Sequence, residues 1–427
     1  MNNTVRPALS EPQSGVTKMT VVPNDFGEHE MRKMNRHAGW AGGFLFSLRL
    51  AAYALAACFL VQASPSIALE TKADYAILLD MATGRVLFEK NADQPMQPAS
   101  MSKMMTVYML FERLRDGSLS LDDTFPVSEN AWRKGGAKSG SSAMFLDPGT
   151  RVRVEDLIRG IIVQSGNDAC IVVAEGLAGS EQAFAAEMTA RGREMGLENT
   201  VFKNATGWPV PGHVSTARDL AILAERTIKD FPEYYSYYAE KEFTYNTIRQ
   251  INRNPLLYRD ISADGLKTGH TLESGFGLAA SAAKGGRRLI LVVNGLASRK
   301  ERSREPDRLL NWGFREFDNY KLFSAGETVT KADVWLGKEA MVALVIEKEM
   351  LLTLARKARR KMKVSVIFEN PVPAPIAKGD KVARLVVSVP GDEPIEVPLL
   401  AAKNVERLGL IGRLGKALKA IILGESG

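Results

Sequence analysis

Ser100 and Lys103 stand three residues apart in Pro98-Ala99-Ser100-Met101-Ser102-Lys103-Met104-Met105-Thr106. On a helix that spacing puts a hydroxyl and an amine on one face, one turn apart and within reach of each other. A serine beside an amine kept neutral by burial or by a neighbouring cation is a nucleophile with its base. At a helix start the unpaired N–H groups and the dipole also favour developing negative charge. The flanks predict such a start. Pro98 precedes it, Ser100 is placed to cap it, and Met101, Met104, Met105, Tyr108, Met109 and Leu114 form an apolar face after it.

The pair is not specific by itself, because one or two Ser-x-x-Lys matches are expected by chance in a chain of roughly this length. Ser281-Ala282-Ala283-Lys284 is a second match. It ends an alternating run and meets Gly285-Gly286, the pattern of a strand entering a hairpin turn, where i and i+3 point to opposite faces. The plain alternative for Ser100 is a helix cap followed by a surface lysine.

These residues sit in a chain of 427 residues, 45% hydrophobic and 25% charged, long enough for two or three domains with real cores. Residues 1–68 hold six Lys/Arg and four Asp/Glu, so of the net +7 the remainder carries +5. That excess suits an anionic membrane or wall, and no basic run with interleaved aromatics points to nucleic acid. The cysteines are Cys58 and Cys170. Cys58 lies in the leader, so the mature protein is expected to hold one thiol and no internal disulfide. Cys170 follows an apolar run and reads as a buried small hydrophobe.

Residues 1–30 show no periodicity. Arg32, Lys33 and Arg36, the uncharged run Leu50–Val61 and Ser66-Ile67-Ala68 are the three parts of a secretory signal peptide. Its late position implies a true start at Met31 or Met34. An uncleaved anchor is a second reading, for which the run is short. Leu55-Ala56-Ala57-Cys58 resembles a lipoprotein box, against which the apolar Phe59-Leu60-Val61 counts.

The mature chain opens with a hairpin, Tyr75–Leu79 and Arg85–Lys90. After the Ser100 helix, Gly135–Ser142 reads as a mobile loop. Helices are expected over Asp156–Val163, Ala169–Leu177, Glu181–Met195, Thr216–Asp230 and Leu309–Phe317, with a second hairpin from Gly275–Ala283 and Arg288–Asn294. After Gly326 short β-rich runs suggest a small sandwich or barrel. In the tail Leu410, Ile411, Leu414, Ala417, Leu418, Ile421 and Ile422 share one helical side, opposite Arg413, Lys416 and Lys419. That pattern reads as a membrane-surface helix, or as a helix docked on the β domain.

Two further stretches give the serine–lysine pair its setting. Ser165-Gly166-Asn167 falls between two helices, and Lys267-Thr268-Gly269 opens a strand, with His270 after it. Each tripeptide is common alone; the three in this order and these settings are not. The surrounding text, Pro98–Thr106, Gln164–Ala169, Asp264–Thr271 and Leu309–Phe314, resembles the low-molecular-mass penicillin-binding proteins of the serine-type D-alanyl-D-alanine carboxypeptidase family. The resemblance runs from about Ala73 to the end.

It implies an α+β fold: a serine β-lactamase/transpeptidase-like catalytic domain, then a small all-β domain and a C-terminal amphipathic helix. The expected division is 1–68 extension and signal peptide, 69–326 catalytic, 327–403 β-rich and 404–427 membrane-surface helix. It also implies the roles. Ser100 attacks the carbonyl before a terminal D-alanine and Lys103 takes its proton. Ser165 relays a proton to the leaving amine, Asn167 orients the substrate, and Lys267 keeps Lys103 neutral and holds Ser165. Thr268 and Arg302 grip the free carboxylate beside Gly269, and the N–H groups of Ser100 and His270 form the oxyanion hole. Arg302 rests on counting back from Leu309 through the basic run Arg299–Arg304, so Arg304 is its competitor.

No metal or cofactor is implied. His29 and His37 fall in or before the leader, and His213 and His270 are too few for a histidine-rich zinc site. His213 reads as structural, His270 as a wall residue acting through its backbone, and Asn204, Arg218 and Asp219 as part of a buried structural ion pair. The partners implied are peptidoglycan stem peptides, β-lactams as inhibitors and a membrane surface, with no nucleic acid. The implied location is the periplasmic, outer face of the cytoplasmic membrane. A β-lactamase, a wall endopeptidase and a non-catalytic wall scaffold are the alternatives on the same site.

Overall fold

The structure, a computed structural model, describes residues 15–20, 69–412 and 414. The signal peptide and most of the C-terminal helix expected from the sequence lie outside these residues. The chain divides into two compact units, one over residues 63–317 and one over 318–427 together with β1 (Gly15–Thr20). The division precedes the change of texture at Gly326, because Phe317–Phe323 already pairs with Met350–Ala355.

The first unit carries the chemistry. Its strands are β2 (Tyr75–Asp80), β3 (Val86–Lys90), β4 (Ala263–Thr271), β5 (Gly275–Lys284) and β6 (Arg287–Leu296), in the spatial order β3-β2-β6-β5-β4, all neighbours antiparallel. Alternation along the strands builds a core on each face. Ile77, Leu79, Ile290 and Val292 join one apolar cluster, and Ala76, Leu78, Leu289, Leu291 and Val293 the other. Ser281 and Lys284 lie on β5, and Ser281 accepts from Arg288 Nη1 at 2.6 Å, so the second Ser-x-x-Lys match is a strand and not a site.

Six helices complete the helical lobe beside one face: α1 (Lys103–Arg115), α2 (Glu129–Gly135), α3 (Val154–Arg159), α4 (Asn167–Ala178), α5 (Glu181–Glu194) and α6 (Ala217–Asp230). The opposite face is covered by α7 (Arg299–Glu316), through Leu309 and Leu310. Every residue of α1 from Lys103 to Phe111 is buried. A helix buried on all sides is a core helix. Each of its large apolar side chains contributes roughly 1.5–3 kcal/mol by leaving water, and that packing holds Lys103 in the interior. Free Cys170 is fully buried on α4, its thiol pushed up to about 12 by desolvation.

The second unit is a seven-stranded sheet around its own core. Its principal strands are β7 (Thr328–Trp335), β8 (Met341–Ile346), β9 (Lys363–Asn370), β10 (Lys381–Ser388) and β11 (Ile395–Ala401), in the order β1-β9-β10-β11-β8-β7, with Val372–Pro373 beyond β7. Residues 1–30 show no strand pattern, yet β1 pairs antiparallel with β9 from Gly15↔Asn370 to Thr20↔Ser365. The bonds of that pairing are backbone bonds, which an edge strand offers to almost any extended segment.

Candidate active site

Ser100 lies in a tight turn and not in the α-helix. Ala99–Ser102 form a 3-10 turn, and α1 begins only at Lys103. In a 3-10 turn side chains at i and i+3 eclipse, which aligns Ser100 with Lys103 more closely than an α-helix would. Lys103 Nζ lies 2.9 Å from Ser100 Oγ and 2.6 Å from the carbonyl of Thr206. The expectation that Ser100 caps the helix is corrected: no side-chain cap hydrogen bond forms, because its hydroxyl is turned to the lysine. Burial takes the Lys103 ammonium down to about 8, with the Arg253 charge adding a smaller push.

The carbonyl that receives Lys103 is positioned from the segment 204–208. Asn204 Oδ1 accepts from the backbone N–H groups of Thr206, Gly207 and Trp208 and from the Thr206 hydroxyl, at 2.8–3.1 Å. One side chain thus fixes the whole turn. Gly207 has φ +79°, and a Cβ there would lie 1.9 Å from the carbonyl oxygen of Ala99. Beneath the turn, the His213 ring touches Ser102 Oγ at 2.8 Å, and its Nδ1 accepts from Lys203 N at 3.2 Å. The proton therefore sits on Nε2, and burial lowers this imidazole to about 4. A neutral, doubly hydrogen-bonded ring supports the turn.

No Arg218–Asp219 ion pair forms. Arg218 pairs with Asp93 and Glu89 at 2.6 Å at the surface, while Asp219 accepts from Asn199 N and the Thr200 hydroxyl. Adjacent helical positions face different ways.

Ser165 and Asn167 come from a break in the helices. After α3 the chain makes a π turn, Gly160–Gln164, and Ser165 adopts φ +64° before α4 begins at Asn167. A π turn followed by a left-handed residue stores strain of the kind found at functional sites. Asp168, fully buried behind them, accepts from Met144 N at 2.8 Å, Leu146 N at 3.2 Å and Ala169 N at 2.9 Å. Burial raises its pKa against those bonds. The expected mobile loop at Gly135–Ser142 is instead tied down. Asn167 N donates to Ser142 O at 2.7 Å, Arg253 Nη1 to Ser142 Oγ at 2.5 Å, and the Ser139 and Ser141 hydroxyls meet at 2.7 Å.

The third wall is β4. Gly269 lies so close to the Ser100 turn that a Cβ would stand 3.0 Å from Pro98 O. Lys267 is buried, and burial together with the nearby Lys103 charge lowers its ammonium well below the ordinary lysine range. Its Nζ donates to Thr268 O at 3.2 Å, and no hydrogen bond joins it to Ser165 among the described residues. His270 is exposed and its ring lies against Phe276, centroids 3.9 Å apart.

Arg302 is 8% exposed, donates to Gly269 O at 3.3 Å and leaves Nε with no partner. Its guanidinium is 5.3 Å from the Phe276 ring centroid, and burial followed by the Arg299 and Arg253 charges takes it down to about 10. Arg304 is exposed and lines no cavity at the site. A buried guanidinium with an orphaned N–H is a ready receptor for a carboxylate.

Two adjoining cavities open at Ser100. One of about 330 Å³ is bordered by Asn167, Thr206, Trp208, His270 and Arg299; the other, about 130 Å³, by Ser165, Arg253, Thr268, Gly269 and Arg302. Lys103 and Lys267 lie buried behind these walls and not on their surface. A larger cavity, about 1010 Å³, lies on the β unit and has no serine–lysine pair in its lining among the described residues. Arg253, Ser142 and Asp168 were not legible as site residues, since only the folded chain brings their distant positions together.

A serine touching a buried lysine, a second buried lysine and a buried arginine with an unpartnered N–H, on an antiparallel sheet with a helical lobe, is the arrangement of a penicillin-interactive serine enzyme. Comparison with known proteins agrees. Residues 61–298 match the family model "D-alanyl-D-alanine carboxypeptidase", and residues 317–407 match "Penicillin-binding protein 5, C-terminal domain". The chain is 40% identical over 379 residues to D-alanyl-D-alanine carboxypeptidase DacC of Escherichia coli (strain K12), covering 88% of this chain and 94% of the relative. It is 39% identical over 345 residues to DacA of the same organism, 80% and 86% covered. A solved structure of penicillin binding protein 5 from Haemophilus influenzae superposes with TM-score 0.70 at 36% identity, over 79% of this chain and 99% of that one. The chain belongs to the D-alanyl-D-alanine carboxypeptidase family and is a serine-type carboxypeptidase acting on peptidoglycan.

Proposed function

We propose that this enzyme removes the terminal D-alanine of stem pentapeptides through an acyl-enzyme on Ser100. The contact between Lys103 Nζ and Ser100 Oγ at 2.9 Å, with the lysine buried, carries the reading. The neutral amine donates to Thr206 O and accepts the hydroxyl proton as Ser100 Oγ attacks the carbonyl. The N–H groups of Ser100 and His270 stabilise the oxyanion. The C–N bond breaks and the leaving amine takes a proton by way of Ser165. Water then cleaves the ester and Ser100 regains its proton. Lys267 supplies positive charge behind the site, Asn167 orients the acyl portion, and Thr268 and Arg302 hold the terminal carboxylate.

Among the described residues no Asp or Glu lines either cavity. A β-lactamase needs an efficient deacylating base, so this absence favours slow release of penicillin and the carboxypeptidase assignment over that rival. The test is D-alanine release from a pentapeptide ending in D-Ala-D-Ala, with and without prior exposure to penicillin. Release abolished by penicillin supports the reading; release that penicillin leaves untouched refutes it.

Arg302→Ala removes the carboxylate receptor. The expected loss is that of a charged hydrogen bond, about 1.5–3 kcal/mol or roughly 10- to 150-fold in kcat/KM for substrates with a free C-terminal carboxylate. The same loss in Arg304→Ala and not in Arg302→Ala would move the receptor to Arg304.

The proposed location is the outer face of the cytoplasmic membrane. The leader supports export, and cleavage after Ala68 would remove β1 and leave β9 as a sheet edge. Among the described residues no helix is long and apolar enough to cross a membrane. Leu410, Ile411 and Leu414 are 73%, 90% and 66% exposed. Three exposed apolar side chains at the start of a basic amphipathic pattern support peripheral attachment over docking on the β unit.

A further inference from the structure

Around Ser100 stand more cations than one terminal carboxylate requires. Arg302 faces the smaller cavity and Arg253 is engaged by Ser142. Arg299 borders both cavities, is exposed, and has no hydrogen bond or ion pair among the described residues. Its charge weighs on its neighbours, depressing the pKa of Arg302, Arg253 and His270 in addition to the effect of burial.

Arg299 is also badly placed for stability. It is the first residue of α7, where the helix dipole disfavours a cation. The acid of that first turn, Glu301, is occupied by Lys72 Nζ at 3.2 Å and Ala297 N at 3.0 Å. Like charges gathered without a counterion on a cavity wall are the mark of an anion site.

The two cavities divide the substrate. Arg302 and Thr268 place the departing D-alanine in the smaller one. The acyl portion then runs into the larger one, past Asn167 and Trp208, where among the described residues Arg299 is the only Arg or Lys in the lining and no acid is present.

We infer that Arg299 receives a second carboxylate, carried on the acyl side of the stem peptide, and that the enzyme selects stem peptides by it. This rests on the assignment of Ser100 as the acylated residue. A stem peptide offers such a group from two places: the side chain of a diamino-dicarboxylic third residue, or the α-carboxylate of a γ-linked glutamate at the second. The third residue lies nearer to the scissile bond.

The test uses three synthetic pentapeptides ending in D-Ala-D-Ala. One carries diaminopimelate at the third position and γ-linked glutamate at the second. In another lysine replaces diaminopimelate, and in the last the glutamate is amidated. Wild type is expected to favour the parent peptide over one of the other two by about tenfold in kcat/KM. Arg299→Gln should bring that ratio to within about twofold of unity, with Arg299→Lys between. Collapse of the lysine ratio assigns the carboxylate to the third residue, and collapse of the amidated ratio to the second; either supports the inference. Ratios unchanged in Arg299→Gln, or all three peptides slowed in equal proportion, overturn it. A melting temperature of Arg299→Gln no lower than wild type shows that the fold is kept. Absence of D-alanine release from every peptide by wild type would instead refute the reading of Ser100, and this inference with it.

Discussion

Lys103→Met is expected to abolish acylation of Ser100, with kcat/KM for peptide hydrolysis and the rate of penicillin labelling both falling by about 10⁴-fold or more. Methionine matches the length and apolar surroundings of the buried side chain, so the core is kept while the base is lost. Wild type carries a companion signature. In the proposed mechanism Lys103 acts as the neutral amine, and burial takes its ammonium down to about 8. Below that pH the amine is protonated, so kcat/KM falls about tenfold per pH unit as pH drops, and it levels off above it. Lys103 and Lys267 are both buried, and the Lys103 charge adds to burial in lowering Lys267, so the inflection is read for the two amines together. An acylation rate that stays flat between pH 5 and 9 would place the base elsewhere.

Gly207→Ala is expected to inactivate the enzyme without touching a reacting atom. Two costs coincide. A left-handed φ of +79° strains any residue with a Cβ, by about 1–2 kcal/mol. The Cβ also has nowhere to go, since backbone atoms of Ala99 and Ser100 lie 1.9–3.1 Å from it. The nucleophile turn or the 204–208 segment must shift, and with it either Ser100 or the carbonyl that seats Lys103. The expected result is roughly 3 kcal/mol or more of destabilisation, with penicillin labelling reduced at least about 100-fold. Gly84→Ala separates the two costs. Gly84 has a similar φ of +70° with open space around it, so it should lose only the conformational part and keep full activity. Equal effects from the two substitutions would show that the turn tolerates displacement.

The parts legible in the sequence were those governed by local pattern. Alternation located β2, β3, β5 and β6 within a residue or two, and the three motifs located the three walls of the site. What escaped was set by long-range packing. The basic text Arg299–Asp307 lacks an apolar stripe, and it contains Pro306, so α7 was foreseen only from Leu309. The structure extends it back to Arg299, capped by Ser298 Oγ, which accepts from Glu301 N at 3.2 Å. The same physics hid Arg253 and Asp168. Each acts on a loop more than twenty residues away in sequence, and no periodicity records such a contact. The tight turn at Ser100 escaped because Ala99 adopts φ +48°, a backbone state that an alanine does not announce. The serine–lysine spacing survived that misreading, since both kinds of turn bring i and i+3 together.

The central claim, that Ser100 is the residue acylated by substrate and by penicillin, is tested most directly by mass spectrometry of the enzyme quenched after brief exposure to a β-lactam. One adduct per chain is predicted, on the peptide containing Ser100, absent from Ser100→Ala along with D-alanine release. An adduct on another peptide, or one that persists in Ser100→Ala, would contradict the account.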